Sequence, residues 1–244
     1  MLVLKEVIDG NQYAFISDYA EVFNVQNKNN SESIFEIQYT DAITGLGSSF
    51  ANLFAPIGSS EVTNGIGKTE GNNEPTEEFY ASYSDQDVRK SVSIGELSDG
   101  RTYCKKFVKA PVLADQSDAN FIVLRYTDVL LMYAEVLNEI SFSTSGDAFK
   151  YLNQVRIRAG LQPYTIQQIN DQDAFRNALF EERRYEFAFE NQRWFDLLRT
   201  GKAIEIMNAS ANGGFTVKPY QLVYPIPQSQ IDTAPDKMKQ NDGY

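Results

Sequence analysis

The 244-residue sequence is long enough to bury a full core, and its formal charge of -11, from 22 Lys and Arg against 33 Asp and Glu, disfavours binding to nucleic acid or to anionic lipid. It has no histidine and one cysteine, Cys104, which removes the commonest general base, the His-assisted nucleophiles, an intramolecular disulfide and the usual structural zinc sites. No cofactor or metal is expected, hydrolysis would have to rest on carboxylates alone, and no run approaches the 18 apolar residues of a membrane-spanning helix.

Leu2, Val3, Val7 and Ile8 fit one face of a short helix that Gly10 ends. That helix starts without an N-cap, so the natural protein is expected to begin earlier, and Met1 to Glu6 does not read as a leader peptide. A second short helix is expected from Asp18 to Phe23, and a strand from Ile34 to Tyr39. Residues 41–75 interleave Gly45, Gly47, Gly58, Gly65, Gly67 and Gly71 with serines and asparagines and support no periodic element. A loop this long in a compact domain is functional or disordered. Thr76 to Tyr83 reads as a helix capped by Thr76 with Glu77 and Glu78 in its first turn, and residues 102–109 read as a strand after an Asp99-Gly100 turn.

From residue 121, Ile122, Tyr126, Val129, Leu130, Tyr133, Leu137 and Ile140 advance by threes and fours along one helical face. Ser145-Gly146-Asp147 opens a second helix, in which Ala148, Leu152, Val155 and Ala159 repeat the spacing up to Gly160 and Pro163. Two antiparallel helices within about 34 residues resemble a tetratricopeptide unit, which needs neighbouring helices to cover its faces. A third long helix is predicted over Asp171 to Asn191. Beyond it, Gly213-Gly214, Pro219, Pro225, Pro227 and Pro235 predict a mostly irregular end with a short strand near Leu222 to Tyr224.

Glu182, Glu186 and Glu190 share a helix face at four-residue spacing, which could hold a metal or pair an acid with a base. With Arg183 and Arg184 among them, the simpler reading is a salt-bridged helix face. Arg125 and Asp128 read the same way, able to pair with each other or with adjacent helices. Trp194, the only tryptophan, could be a sugar platform, but Phe195, Leu197 and Leu198 favour core packing with a satisfied indole N-H. Phe50, Asn52 and Phe54 set aromatic faces beside amides in the glycine-rich segment, a combination that suits sugars. Alternatively the two rings pin the loop to the domain. No phosphate-binding glycine motif occurs.

Several segments together resemble the SusD/RagB family. These are Leu124-Arg125-Tyr126-Thr127-Asp128 through Glu139, Leu152 through Leu161, Glu182-Arg183-Arg184-Tyr185-Glu186-Phe187 through Glu190, and Arg193-Trp194-Phe195-Asp196-Leu197-Leu198-Arg199-Thr200-Gly201. Tyr224-Pro225-Ile226-Pro227 through Asp232 and the closing Gln240-Asn241-Asp242-Gly243-Tyr244 follow in the family's order, and Val7 through Tyr13 and Asn30 through Tyr39 look like its middle region. The resemblance implies a mainly α fold with tetratricopeptide-like helix pairs, long irregular loops and a few short strands, of which this chain would be the C-terminal half. It divides the chain into the end of a helical repeat region (1–25), a loop-rich excursion (41–83), a helical core (121–200) and an irregular C-terminal segment (201–244). It also implies a non-catalytic lipoprotein on the outer face of the outer membrane that captures oligosaccharide and passes it to a SusC-like TonB-dependent transporter, with the lipid anchor outside this chain. Members of the family use loops for ligand, and the approximate match over 41–83 adds Asn64 and Tyr80 to Phe50, Asn52 and Phe54 as ligand candidates. A peptide-importing RagB-like component and a glycoside hydrolase built on Glu182 and Glu186 are the alternatives.

Overall fold

A computed structural model describes residues 2–209 and 216–244, which fall into two compact units divided after Asn191. The first unit opens with Leu2–Asp9 (α1), Tyr19–Val22 (α2) and Ser33–Ile37 (β1). Phe50–Phe54 (α3), Glu77–Ser82 (α4), Arg89–Ser93 (α5), Ile94–Glu96 (β2) and Thr102–Cys104 (β3) follow. Phe121–Arg125 (β4), Tyr126–Ile140 (α6), Asp147–Arg158 (α7) and Gln172–Glu186 (α8) complete it.

The core lies where α6 packs against α1, α7 and α8. Leu130 and Leu131 of α6 bury against Leu152 and Val155 of α7 and Phe175 and Leu179 of α8, the residues that the three-and-four spacing puts on facing stripes. Tyr133 and Tyr151 meet edge to face at 5.9 Å between the first two of these helices. Leu4, Val7 and Ile8 lay one side of α1 on the same cluster, although no residue of α1 is fully buried.

Several expectations need correction. The helix expected from Ile122 begins at Tyr126, because Phe121–Arg125 pairs antiparallel with β1, Ile37 opposite Phe121 and Ser33 opposite Arg125. Ile122 is buried in either conformation, so its spacing carried the helical pattern past the true start. The strand expected over 102–109 is only Thr102–Cys104, which pairs with β2 across a turn where Gly100 adopts a φ of 86°. Residues 41–75 do hold one short helix, α3. The third long helix stops at Glu186 and not at Asn191, and Phe189 and Asn191 beyond it have φ of 66° and 62°. The Thr76 cap is formed as expected, its hydroxyl accepting from the Phe79 N-H at 3.1 Å.

The second unit contains Arg193–Arg199 (α9), Ala203–Ala209 (α10), a 3-10 turn at Pro219–Leu222 and Gln228–Thr233 (α11). No strand forms near Leu222 to Tyr224, because Leu222 closes the turn that Pro219 begins. That stretch is instead tied down by side chains from the C-terminus. Gln240 bonds Ile226 through both its backbone groups at 2.8 Å, Asn241 donates to the Tyr224 carbonyl, and the Tyr244 hydroxyl donates to the Val223 carbonyl at 2.9 Å. Trp194 is half-buried, and its indole N-H is buried with no partner among the described residues, contrary to the satisfied indole expected. Gly213 and Gly214 lie outside the described residues.

Candidate functional site

The carboxylates that could have done acid-base work are in the interior. Arg89, Arg125 and Glu186 are 0%, 1% and 0% exposed, and Glu32, Lys106, Glu182 and Glu190 are buried beside them. Arg125 donates to Glu186 at 2.6 Å, to Glu32 at 2.9 Å and to Glu190 at 2.8 Å. Arg158 reaches Glu32 at 2.7 Å and Glu186 at 2.5 Å, while Arg89 bridges Asp87 at 2.7 Å to Glu182 at 2.6 Å. Thr127 donates its hydroxyl to Glu32. Such a cluster is tolerable in a dry interior only because nearly every charge is matched and hydrogen-bonded.

Burial pushes the Glu186 carboxyl up, but Arg158, Arg125, Arg89 and Lys106 outweigh it and hold the group well below the usual carboxylate range. Burial wins at Glu182, which is raised despite Arg89 and Arg156, and at Lys106, which is lowered despite Glu190. The same side chains finish α8. The carbonyl of Glu186, its last residue, accepts from the Tyr19 hydroxyl at 2.8 Å, Arg125 at 2.8 Å and Lys106 at 3.1 Å. Cations at a helix C-terminus are favoured by the helix dipole, and here they explain why the helix ends five residues before its expected stop. Arg125 and Asp128 are structural as read, but each pairs with a distant helix. Asp128 is held by Arg183 at 2.6 Å.

The five ligand candidates separate. Phe50 stacks on Phe54 at 5.4 Å and meets Tyr39, Phe107 and Phe121 within 6.2 Å, so both rings belong to an aromatic cluster that anchors the loop. Asn52 is buried, and its amide is spent on the Ile66 and Lys68 carbonyls and the Asp115 N-H at 2.8–3.0 Å. Asn64 is exposed in a turn with φ of 54°. Tyr80 is half-buried and lines a cleft of about 460 Å³ with Asp85, Gln86, Lys90, Ser91 and Glu96. No hydrogen bond or ring contact joins it to the other four among the described residues.

The cleft is built outward from the charged interior. On α4, Phe79 stacks on Tyr185 of α8 at 6.0 Å and meets Tyr83 and Phe189 edge-on at 5.1 and 5.9 Å. The next residue, a quarter-turn round the helix, therefore faces away from that anchor, and it is Tyr80. Its hydroxyl donates to Glu96 of β2 at 3.0 Å, and the Lys90 ammonium lies 3.9 Å from its ring centre. The bond to Glu96 raises the Tyr80 hydroxyl above its ordinary value. The cleft floor is tied inward where Asp87 holds Arg89, which in turn reaches Glu182. Lys90 and Glu96 carry no motif or periodicity; only the β2–β3 hairpin brings Glu96 beside α4. An aromatic face set among two carboxylates, an amide and a hydroxyl can stack a sugar ring and accept its hydroxyl protons.

Residues 90–244 match the profile of the SusD family. SusD-like protein P25 from Formosa agariphila is 26% identical over 294 aligned positions, covering 98% of this chain and 54% of that protein. Surface glycan-binding protein A from Bacteroides thetaiotaomicron, solved in complex with laminarihexaose, superposes with a TM-score of 0.80 at 27% identity, covering 98% of this chain and 58% of that one. A SusD superfamily protein from Parabacteroides distasonis gives a TM-score of 0.83 at 27% identity over 99% of this chain and 56% of that one. The chain thus spans a little over half the length of these relatives.

Proposed function

Since the chain belongs to the SusD family, we propose that it captures glycan without catalysis at the cell surface, as part of an outer-membrane lipoprotein that delivers the sugar to a SusC-like TonB-dependent transporter. The observation that carries this reading is the cleft beside α4, where the half-buried Tyr80 ring stands among Glu96, Gln86 and Ser91. A bound hexose stacks on the Tyr80 face after Lys90 moves aside, and Glu96 and Asp85 accept its hydroxyl protons. Affinity per site is weak, because each sugar hydroxyl exchanges a bond to water for one to protein. The hydrolase alternative is disfavoured by Glu182 and Glu186, whose oxygens are held by Arg89, Arg156, Arg125 and Arg158 in the interior.

Calorimetric titration with laminarihexaose and a panel of neutral oligosaccharides tests the reading. Tyr80→Ala is expected to weaken binding by about tenfold or more, the loss of one stacking contact. Unchanged affinity in that variant rejects the cleft. Binding of peptides but no glycan would move the assignment to peptide import, and glycan turnover by the wild-type protein would overturn the non-catalytic reading.

A further inference from the structure

A second groove, formed by the segment before α2, one face of α7 and Pro163, has a volume of about 770 Å³ and the opposite polarity. Phe15, Lys150, Gln154, Ile157 and Arg158 line it, and no Asp or Glu does. Phe15 is half-buried, with the Arg158 guanidinium 4.0 Å from its ring centre, and Ile157 is 60% exposed. Arg158 has four terminal N-H bonds, and all are spent. They go to the Ile16 carbonyl at 3.1 Å, Glu32 at 2.7 Å, Thr127 at 3.0 Å and Glu186 at 2.5 Å. Its fifth donor, Nε-H, is buried and has no partner. A buried donor left unpaired is costly, so an acceptor arriving there is favoured over bulk water.

The rest of the lining points the same way. Asn153, also in the groove wall, is consumed by the Tyr164 backbone, donating at 3.1 Å and accepting at 2.7 Å. What remains free to bond is the Lys150 ammonium, the Ser17 hydroxyl, the Gln154 amide and Arg158 Nε-H. The nearest carboxylate to Lys150, Asp147, is 4.0 Å away and exposed. Apolar surface from Phe15, Ile157 and Pro163 lies between these donors. The protein's overall negative charge is screened beyond about 8 Å at physiological salt, so the local absence of acid decides which ligand enters.

We infer that this groove is a second binding site, selective for an oligosaccharide carrying carboxylate or sulfate groups, with the anion on Lys150, a neighbouring acceptor on Arg158 Nε-H and the sugar face on Phe15 and Ile157. That the anion rides on a sugar rests on the proposed function; the polarity of the site does not. Chondroitin sulfate hexasaccharide, which bears both anions, and laminarihexaose are titrated into the wild-type chain and into Lys150→Gln, Ile157→Asp and Tyr80→Ala. The three substitutions fall on side chains outside the buried core. Chondroitin sulfate binding is expected to fall at least fivefold in Lys150→Gln, to vanish in Ile157→Asp, to weaken with added salt and to be unchanged in Tyr80→Ala, whereas laminarihexaose shows the reverse sensitivities. No saturable binding of chondroitin sulfate by the wild-type chain, or binding that Ile157→Asp leaves intact, overturns the inference. In either case laminarihexaose binding lost in Tyr80→Ala keeps the first reading alive, so the two can fail separately.

Discussion

The helical layer of α6, α7 and α8 and the loop-rich stretch from residue 41 to Glu96 are stabilised by different means. The layer is locked by apolar stripes and by a matched set of buried charges around Arg125 and Glu186. The loop stretch relies on a few side chains, chiefly the Phe50 ring cluster, the Asn52 amide and the Phe79–Tyr185 stack. The difference teaches where variation is tolerated. Rigidity is concentrated in residues that touch no ligand, and Tyr80 is displayed by a six-residue helix with no buried residue of its own.

The sharpest way to break this comparison is to remove one charge from the lock. Arg125→Met leaves Glu32, Glu186 and Glu190 facing one another in the interior and is expected to cost about 3–5 kcal/mol, read from the urea midpoint. A cost near zero would mean the charges are incidental to the layer. Acid attacks the same place. The folded-state carboxyl of Glu186 lies below its unfolded value, so the unfolded chain takes up more protons as pH falls, and the stability this group contributes is lost from about pH 5 downward. Between pH 7 and pH 3 the melting temperature should drop by about 6–12 °C, the equivalent of ~3 kcal/mol for a chain of this size. Glu182, raised by burial, has the opposite sign and a higher window, which flattens the profile above pH 5.

Smaller effects are expected in the loops. Asn52→Ala strands two carbonyls and one N-H and should cost about 1–3 kcal/mol, with laminarihexaose affinity lowered only in proportion to the unfolded fraction. A specific loss of affinity without a loss of stability would return Asn52 to the ligand candidates. Tyr80→Phe removes an exposed bond to Glu96 and should leave the urea midpoint unchanged while altering affinity. A shift in the midpoint would show that Tyr80 belongs to the anchor and not to the cleft.

Much of the layer was legible in the sequence because α6 and α7 bury one stripe each, and a stripe announces itself through spacing alone. The start of α6 was not, since Phe121–Arg125 needs β1, more than 80 residues earlier, to reveal it as a strand. The Glu182, Glu186 and Glu190 row read as a salt-bridged face, and pairing is what it does. Its burial was hidden, because the partners Arg89 and Arg125 lie 61 to 97 residues away. In the loop, composition marked a recognition segment, yet it could not separate Phe50 and Asn52, which anchor, from Tyr80, which lines a cleft. Lys90 and Glu96 left no trace, because only the hairpin turn at Gly100 brings them near.

The same charge set bears on the order in which the chain assembles. Its links join Glu32 to Arg158 across 126 positions, Arg89 to Glu186 across 97 and Arg125 to Glu32 across 93. None of these can close until the ends of most of the chain have been brought together, and each closure demands that water be stripped from an ion first. The α6–α7 hairpin, by contrast, can form from local contacts within microseconds to milliseconds. The charge set is therefore a late lock: it adds little to the folding rate, and once shut it lengthens the lifetime of the native state, because unfolding must begin by opening it.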